Sequence, residues 1–300
     1  MSPMSNPKYL LGPMRLSFLP LTLSCVVLGL ATAIWTTDGV SVLHFVLALV
    51  GAITAHISVN AFNEYWDFKS GLDATTKRTP FSGGSGTLPE KPELARTALA
   101  TAIVAFSVTG AIGVFFVFVR GLAILPLGIA GLLVVITYTS WLTRSPILCL
   151  LAPGLGFGSL MVMGTDFALT GQYTWTALVA SFVPFFLVNN LLLLNQFPDM
   201  AADRTVGRKH LPIMIGRRAS SLVYGGFLLA TYGVIVLGVA LELLPKTCLL
   251  GLATLVLAIP AFAGAYRHSE NVEKLIPFLG LNVLINITTP VLVAVGLFIG

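Results

Sequence analysis

The chain has 300 residues, of which 56% are hydrophobic and only 10% charged. A soluble globule carries about 25% charged residues, so the composition excludes an ordinary soluble domain and, equally, a disordered chain. The net charge of +5, from 17 Lys+Arg against 12 Asp+Glu, matches the basic surplus of cytoplasmic loops in membrane proteins and points away from nucleic acid.

Nine apolar segments approach the roughly 20 residues that a membrane span requires. They run over 16–36, 42–62, 97–119, 121–141, 147–166, 174–194, 219–241, 246–266 and 277–299. The first leads straight into further spans and is read as retained, not as a signal peptide. Pro153, Pro184, Pro260 and Pro290 fall inside spans, where neighbouring helices can re-satisfy the freed backbone groups. With the N-terminus in the cytoplasm, fifteen basic residues fall inside and only Arg120 and Lys246 outside. Adding or deleting one span would scramble that asymmetry. The expected fold is therefore all-α: one domain, 1–300, forming a polytopic bundle of nine transmembrane helices, N-terminus cytoplasmic and C-terminus outside. Cys25, Cys149 and Cys248 lie in apolar runs without metal-ligand spacing and read as small hydrophobes.

Two cytoplasmic connections are long and polar, roughly 63–96 and 195–218. The first follows Asn60-Ala-Phe-Asn63-Glu-Tyr-Trp-Asp67 and continues to Gly71 and Asp73; the second opens Asn195-Gln-Phe-Pro-Asp199 and continues to Asp203. Helical spacing puts Asn60, Asn63 and Asp67 on one face, and Asn195, Asp199 and Asp203 on another. Gly71 is expected to end the first helix and let Asp73 fold back towards Asp67. Each station thus offers two carboxylates and an amide oxygen at a helix C-terminus, where the helix dipole disfavours negative charge. A divalent cation would reverse that penalty, and hard oxygen ligands of this kind suit Mg²⁺. Solvated loop ends are the alternative, weakened by the repetition of Asn-x-x-x-Asp on matching spans.

Basic residues stand beside each station: Lys77 and Arg78 after the first, Arg204, Arg208 and Lys209 after the second. Between Arg78 and Pro89 lies Ser82-Gly-Gly-Ser85-Gly86, a loop of the kind that presents N–H groups to phosphate oxygens. Acid pairs, cations and this loop together describe a site for a Mg²⁺-bound diphosphate. At the face of an apolar bundle, that diphosphate is expected to belong to a lipid whose tail lies between helices.

At these residues the chain resembles the UbiA superfamily of intramembrane prenyltransferases, over nearly its whole length. The elements are Asn63-Glu-Tyr-Trp-Asp67-x₃-Gly71-x-Asp73, Pro80-Phe-Ser-Gly-Gly-Ser-Gly86 and Asn195-Gln-Phe-Pro-Asp199-x₃-Asp203-Arg-x₂-Gly207-Arg-Lys209. The Gly after Asp67, with Asp73 two further on, is most like the 1,4-dihydroxy-2-naphthoate prenyltransferase branch. The resemblance implies transfer of a polyprenyl group from a prenyl diphosphate to a small aromatic acceptor. Mg²⁺ would be held by Asn63, Asp67 and Asp73, and again by Asn195, Asp199 and Asp203. Lys77, Arg78, Arg208 and Lys209 would bind diphosphate. Tyr138 would face the allyl cation, or else be an interfacial aromatic. Arg144, Asn190 and His56 are expected at the acceptor, although His56 also reads as a buried hydrogen-bonded histidine and one of Asn189 and Asn190 as bonding a neighbouring helix. Phe157 stands where relatives often have an acid, and His210 where they tend to have a small polar residue.

Membrane lipid is the expected surrounding, a bacterial inner membrane the expected location, and no obligate protein partner is indicated. Two rival readings remain. One keeps the superfamily but changes the acceptor to a hydroxybenzoate, a homogentisate or a non-aromatic molecule. The other is a divalent-cation transporter, which would be expected to place its acids near the bilayer midplane.

Overall fold

The computed structural model describes residues 7–76 and 78–300, Pro7 and Lys8 by backbone alone. The described residues form helices joined by loops, with no strand. Eight helices are long and apolar enough to cross a membrane, and one apolar helix is shorter. In chain order they are α1 (Leu16–Thr36), α2 (Val42–Lys69), α3 (Pro92–Arg120), the shorter α4 (Leu122–Thr137), α5 (Pro146–Thr170), α6 (Trp175–Thr205), α7 (Arg217–Ala240), α8 (Lys246–Arg267) and α9 (Val272–Ile299). The sequence reading thus differs at 121–141, where only Leu122–Thr137 reaches apolar helix length. Beyond the apolar segments 42–62 and 174–194, α2 and α6 continue as polar helical turns to Lys69 and Thr205, as the shared faces of the two stations require.

Apolar side chains cover the outside as well as the inside. Phe118, Leu122, Val42 and Leu229 are more than 70% exposed, as expected of a surface solvated by lipid. Packing therefore relies on small residues and polar contacts between helices. At Gly29 of α1, a β-carbon would meet the Val162 carbonyl oxygen at 2.6 Å and Thr165 Cβ at 2.7 Å, so the α1–α5 contact needs glycine. In α5, Pro153 is followed by a π-helical turn over Leu155–Leu160. Asn189 of α6 steadies this irregular stretch: its Oδ1 accepts the Gly154 N–H at 2.6 Å.

A second polar knot ties α6, α7 and α9. Asn190 Nδ2 donates to the Tyr224 carbonyl at 3.0 Å, Asn282 Nδ2 donates to the Asn190 carbonyl at 3.3 Å, and the Tyr224 hydroxyl donates to Asn282 Oδ1 at 3.3 Å. The other half of the bundle, α1 to α6, encloses a cavity of about 490 Å³. At the far end of the bundle, Arg120 donates to the last carbonyls of α5, Ala168 at 2.8 Å and Leu169 at 2.5 Å.

Overpacking a closed helix contact costs about 1–3 kcal/mol. Gly29→Val is expected to lower the melting midpoint of the detergent-solubilised protein by several degrees. Gly164→Ala, where a β-carbon meets nothing within 4 Å, is expected to leave it unchanged or slightly raised. Thermal scans of the two variants side by side check the contrast.

Candidate active site

The first station sits on the last two turns of α2. Asn60, Asn63 and Asp67 all line the cavity, as their shared face requires. Gly71, at φ +78°, breaks the helix, and the short turn Leu72–Thr75 brings Asp73 back into the same cavity. The second station occupies the last turns of α6, which continues through Pro198; Asn195, Asp199 and Asp203 line the cavity too. The two stations thus meet at one mouth.

Three connections hold them there. Arg208 donates to Asp67 Oδ1 from Nη2, and to Asp203 Oδ1 from Nη1 at 2.9 Å, so one guanidinium bridges both stations. His210, buried, bonds Asp203 Oδ2 through Nε2 at 2.8 Å. The Gly/Ser loop closes the third side: Ser82 Oγ donates to Asp199 Oδ1 at 3.0 Å. The same loop is anchored on Glu64, which is fully buried. Glu64 accepts the Ser85 N–H at 2.6 Å, the Ser85 hydroxyl at 2.9 Å and Arg15 Nε at 2.8 Å. Arg15 also donates to Asn63 Oδ1 at 3.0 Å. Gly83, at φ +86°, lies so close to Arg78 that a β-carbon would come within 2.9 Å of its Cα. The loop conformation therefore depends on glycine.

Below the polar mouth the cavity is apolar, walled by residues such as Ala52, Ile112, Leu132 and Phe157. Tyr138 and His56 line it at the junction. His56 is buried; its Nδ1 lies 2.7 Å from the Thr22 hydroxyl, and its ring meets Phe157 edge-on at 4.7 Å. His56 is thus a buried, hydrogen-bonded histidine that also lines the cavity.

Several expected site residues lie elsewhere. Asn190 belongs to the polar knot with α7 and α9 and does not line the cavity. Asn189 is engaged by Gly154 and does not line it either. Arg144 is exposed outside the cavity, as is Lys209, whose backbone N–H is bonded to the Thr143 carbonyl. Arg78 turns outward to Glu90 at 3.4 Å. Lys77 lies outside the described residues. Depth along a span does not determine which way a side chain faces, and these helices are apolar on every side. Arg15 and Glu64 join the site although no motif spacing marks them. The available signal was the scarcity of acids: Glu64 is one of 12, beside Asn63 at the end of a span.

The donor set fits a hard divalent cation. Among the described residues no three His, Cys, Asp or Glu cluster closely enough to hold a metal by themselves. Each station supplies two carboxylates and an amide, and the buried Asp73 Oδ2 and Asn195 Oδ1 have no hydrogen-bond partner. Such a site leaves coordination positions for waters and phosphate oxygens. Burial first, and then the neighbouring Glu64 and Asp67 carboxylates, push the Asp73 carboxyl up to about 7.

Two outcomes follow. Glu64→Gln leaves Arg15 without its buried partner, and because the Arg15 side chain keeps 21% exposure the cost should sit at the low end of the buried-pair range, about 3 kcal/mol; a lowered unfolding midpoint checks it. A carboxyl whose pKa rises from about 3.9 to about 7 on folding favours the folded state at low pH, and that contribution is lost as pH climbs through 7. In chelator, Asp73→Asn should therefore stabilise the protein at pH 8 and change little at pH 4, as read from melting midpoints.

The match to known proteins agrees with this geometry. The family model described as the UbiA prenyltransferase family matches residues 22–284. The 1,4-dihydroxy-2-naphthoate octaprenyltransferase of Bacillus subtilis is 27% identical over 234 residues, covering 75% of this chain and 71% of the relative. The protein of the same name from Mycobacterium tuberculosis is 26% identical over 281 residues, 87% of each chain. Among solved structures, a UbiA homologue from Aeropyrum pernix superposes with a TM-score of 0.71 at 17% identity, over 93% of this chain and 97% of that one. An Archaeoglobus fulgidus UbiA homologue bound to GPP and Mg²⁺ gives 0.61 at 14% identity, over 96% and 99%. With a family match spanning most of its length and the same helical fold, the chain belongs to the UbiA prenyltransferase family and is a multi-pass membrane prenyltransferase.

Proposed function

We propose that the protein transfers a polyprenyl group from a prenyl diphosphate to an aromatic acceptor of the dihydroxynaphthoate type, with Mg²⁺. The observation that carries this reading is the convergence of two oxygen-rich stations on the polar mouth of one apolar cavity. A diphosphate fits the mouth and an isoprenoid tail fits the walls. The names of the relatives support the acceptor class, and the homologue bound to GPP and Mg²⁺ supports the donor and the metal.

In this reading Asp67 and Asp73 with Asn63 hold one metal, and Asp199 and Asp203 with Asn195 hold another. Bound Mg²⁺ supplies Lewis-acid charge that makes diphosphate a better leaving group. The chain's own residues do the rest. The loop from Ser82 to Ser85 and Arg208 face the departing oxygens. Tyr138, at the junction of polar and apolar walls, lies beside the developing allyl cation. The apolar cavity keeps water from that cation until the electron-rich ring attacks. His56 is assigned to the acceptor side as a cavity-lining polar group; Arg144, Asn190, Arg78 and Lys209 do not line the cavity and are given no role in this reading.

The topology in this proposal has nine crossings in a single domain, α4 being a short ninth of about 24 Å at 1.5 Å per residue. The N-terminus is then cytoplasmic, the C-terminus outside, and the ends of α2 and α6 share the cytoplasmic face of the cell membrane. Carboxylates at helix ends, not at mid-span, favour transfer over cation transport.

Membranes containing the protein should convert labelled prenyl diphosphate and a dihydroxynaphthoate to product with Mg²⁺ and not in chelator. Asp67→Ala and Asp199→Ala should each cut turnover by roughly a thousandfold, several kcal/mol of barrier, with insertion unchanged. A panel of aromatic acids reads acceptor choice in the same assay; undiminished turnover in either variant would contradict the assignment.

A further inference from the structure

The cavity mouth holds four aspartates but few cations. Among the described residues lining it, lysine and arginine are represented by Arg15 and Arg208. Arg15 is engaged by the buried Glu64. Of the two, Arg208 is the one ion-paired with aspartates, and it takes one oxygen from each station: Asp67 Oδ1 and Asp203 Oδ1. Its side chain is 17% exposed, and those of its partners 10% and 4%. The remaining Asp203 oxygen is held by His210. Asp73 Oδ2 and Asn195 Oδ1, by contrast, have no partner.

We infer that Arg208 competes with metal for the two stations: it is a positioning residue that holds them together through Asp67 and Asp203 and is handed from carboxylate to phosphate when the diphosphate enters. The inference rests on the two-metal reading above and extends it to the order of events. The oxygens Arg208 grips belong to one carboxylate of each station, so it competes with metal at both. A metal arriving alone must break charge-assisted hydrogen bonds and sit beside a guanidinium. A diphosphate arriving with the metal offers that guanidinium a new acceptor of matching fork geometry. Metal and diphosphate then bind with positive coupling, and a lone metal binds weakly. Two clusters of carboxylates would otherwise repel each other; the bridge offsets that repulsion and holds the mouth together.

The test is binding of Mn²⁺ alone, by electron paramagnetic resonance on the full-length, detergent-solubilised protein. If Arg208 competes with metal, Arg208→Met should bind Mn²⁺ more tightly than wild type, by roughly tenfold to a hundredfold, the worth of charge-assisted hydrogen bonds. The same variant should bind inorganic pyrophosphate with Mn²⁺ less well. A residue that served only as a phosphate ligand would change the second quantity and not the first. Arg208→Lys, which keeps charge but loses the fork, should bind lone Mn²⁺ several-fold more tightly than wild type, and it carries the test if the methionine variant fails to fold. Equal or weaker Mn²⁺ binding in a folded variant overturns the inference while leaving the two-metal reading intact. No Mn²⁺ binding by any form, even with pyrophosphate, removes the two-metal reading and this inference with it.

Discussion

The central constraint on this molecule is electrostatic. Four aspartates are gathered at the ends of two helices, at the mouth of a cavity whose walls are hydrocarbon. Helix dipoles and mutual repulsion both oppose their ionisation. Nothing in the apolar bundle itself calls for such an arrangement. A folded chain relieves it by protonation or with cations, and the structure supplies some of those cations itself, with Arg208 across both stations and Arg15 on Glu64 behind them.

From that constraint the rest of the architecture follows. The two stations lie far apart in sequence, so their meeting requires α2 and α6 to end at the same level around one cavity. Small-residue contacts such as Gly29 against α5 allow the helices to close, and the π-helical turn after Pro153 brings Phe157 against His56 in the cavity wall. The polar knot of Asn190, Tyr224 and Asn282 fastens α6 to α7 and α9. That leaves the other face of α6 for the site. The loop carrying Gly83 and Gly84 then bridges the stations from above, through Glu64 on one side and Asp199 on the other.

Much of this was legible in the sequence, for physical reasons that can be named. The stations were, because a repeated Asn–Asp spacing in a chain with so few charges is a strong pattern, and because Gly71 marks the turn that returns Asp73. Helical class and approximate spans were, because a bilayer fixes their length. The facing of single polar residues was not. Asn190 and His56 both lie inside spans, yet one knots helices together and the other lines the cavity; hydropathy that is uniform around a helix gives no azimuth to separate them. Arg15 and Arg208 were both visible as basic residues, but that one grips Glu64 and the other spans two stations depends on tertiary approach. Arg144 and Lys209 obey the same charge bias and stay outside, so sign alone does not assign a residue to the site.

The central claim is that both stations grip one diphosphate through metal. The most direct measurement is a structure of the protein with Mn²⁺ and a non-ionisable prenyl thiodiphosphate, with the metals located by anomalous scattering. The account predicts two metal peaks, one on Asp67 and Asp73 and one on Asp199 and Asp203, flanking a single diphosphate with its tail in the apolar cavity. Metal at one station only, or a diphosphate seated away from both, would contradict it.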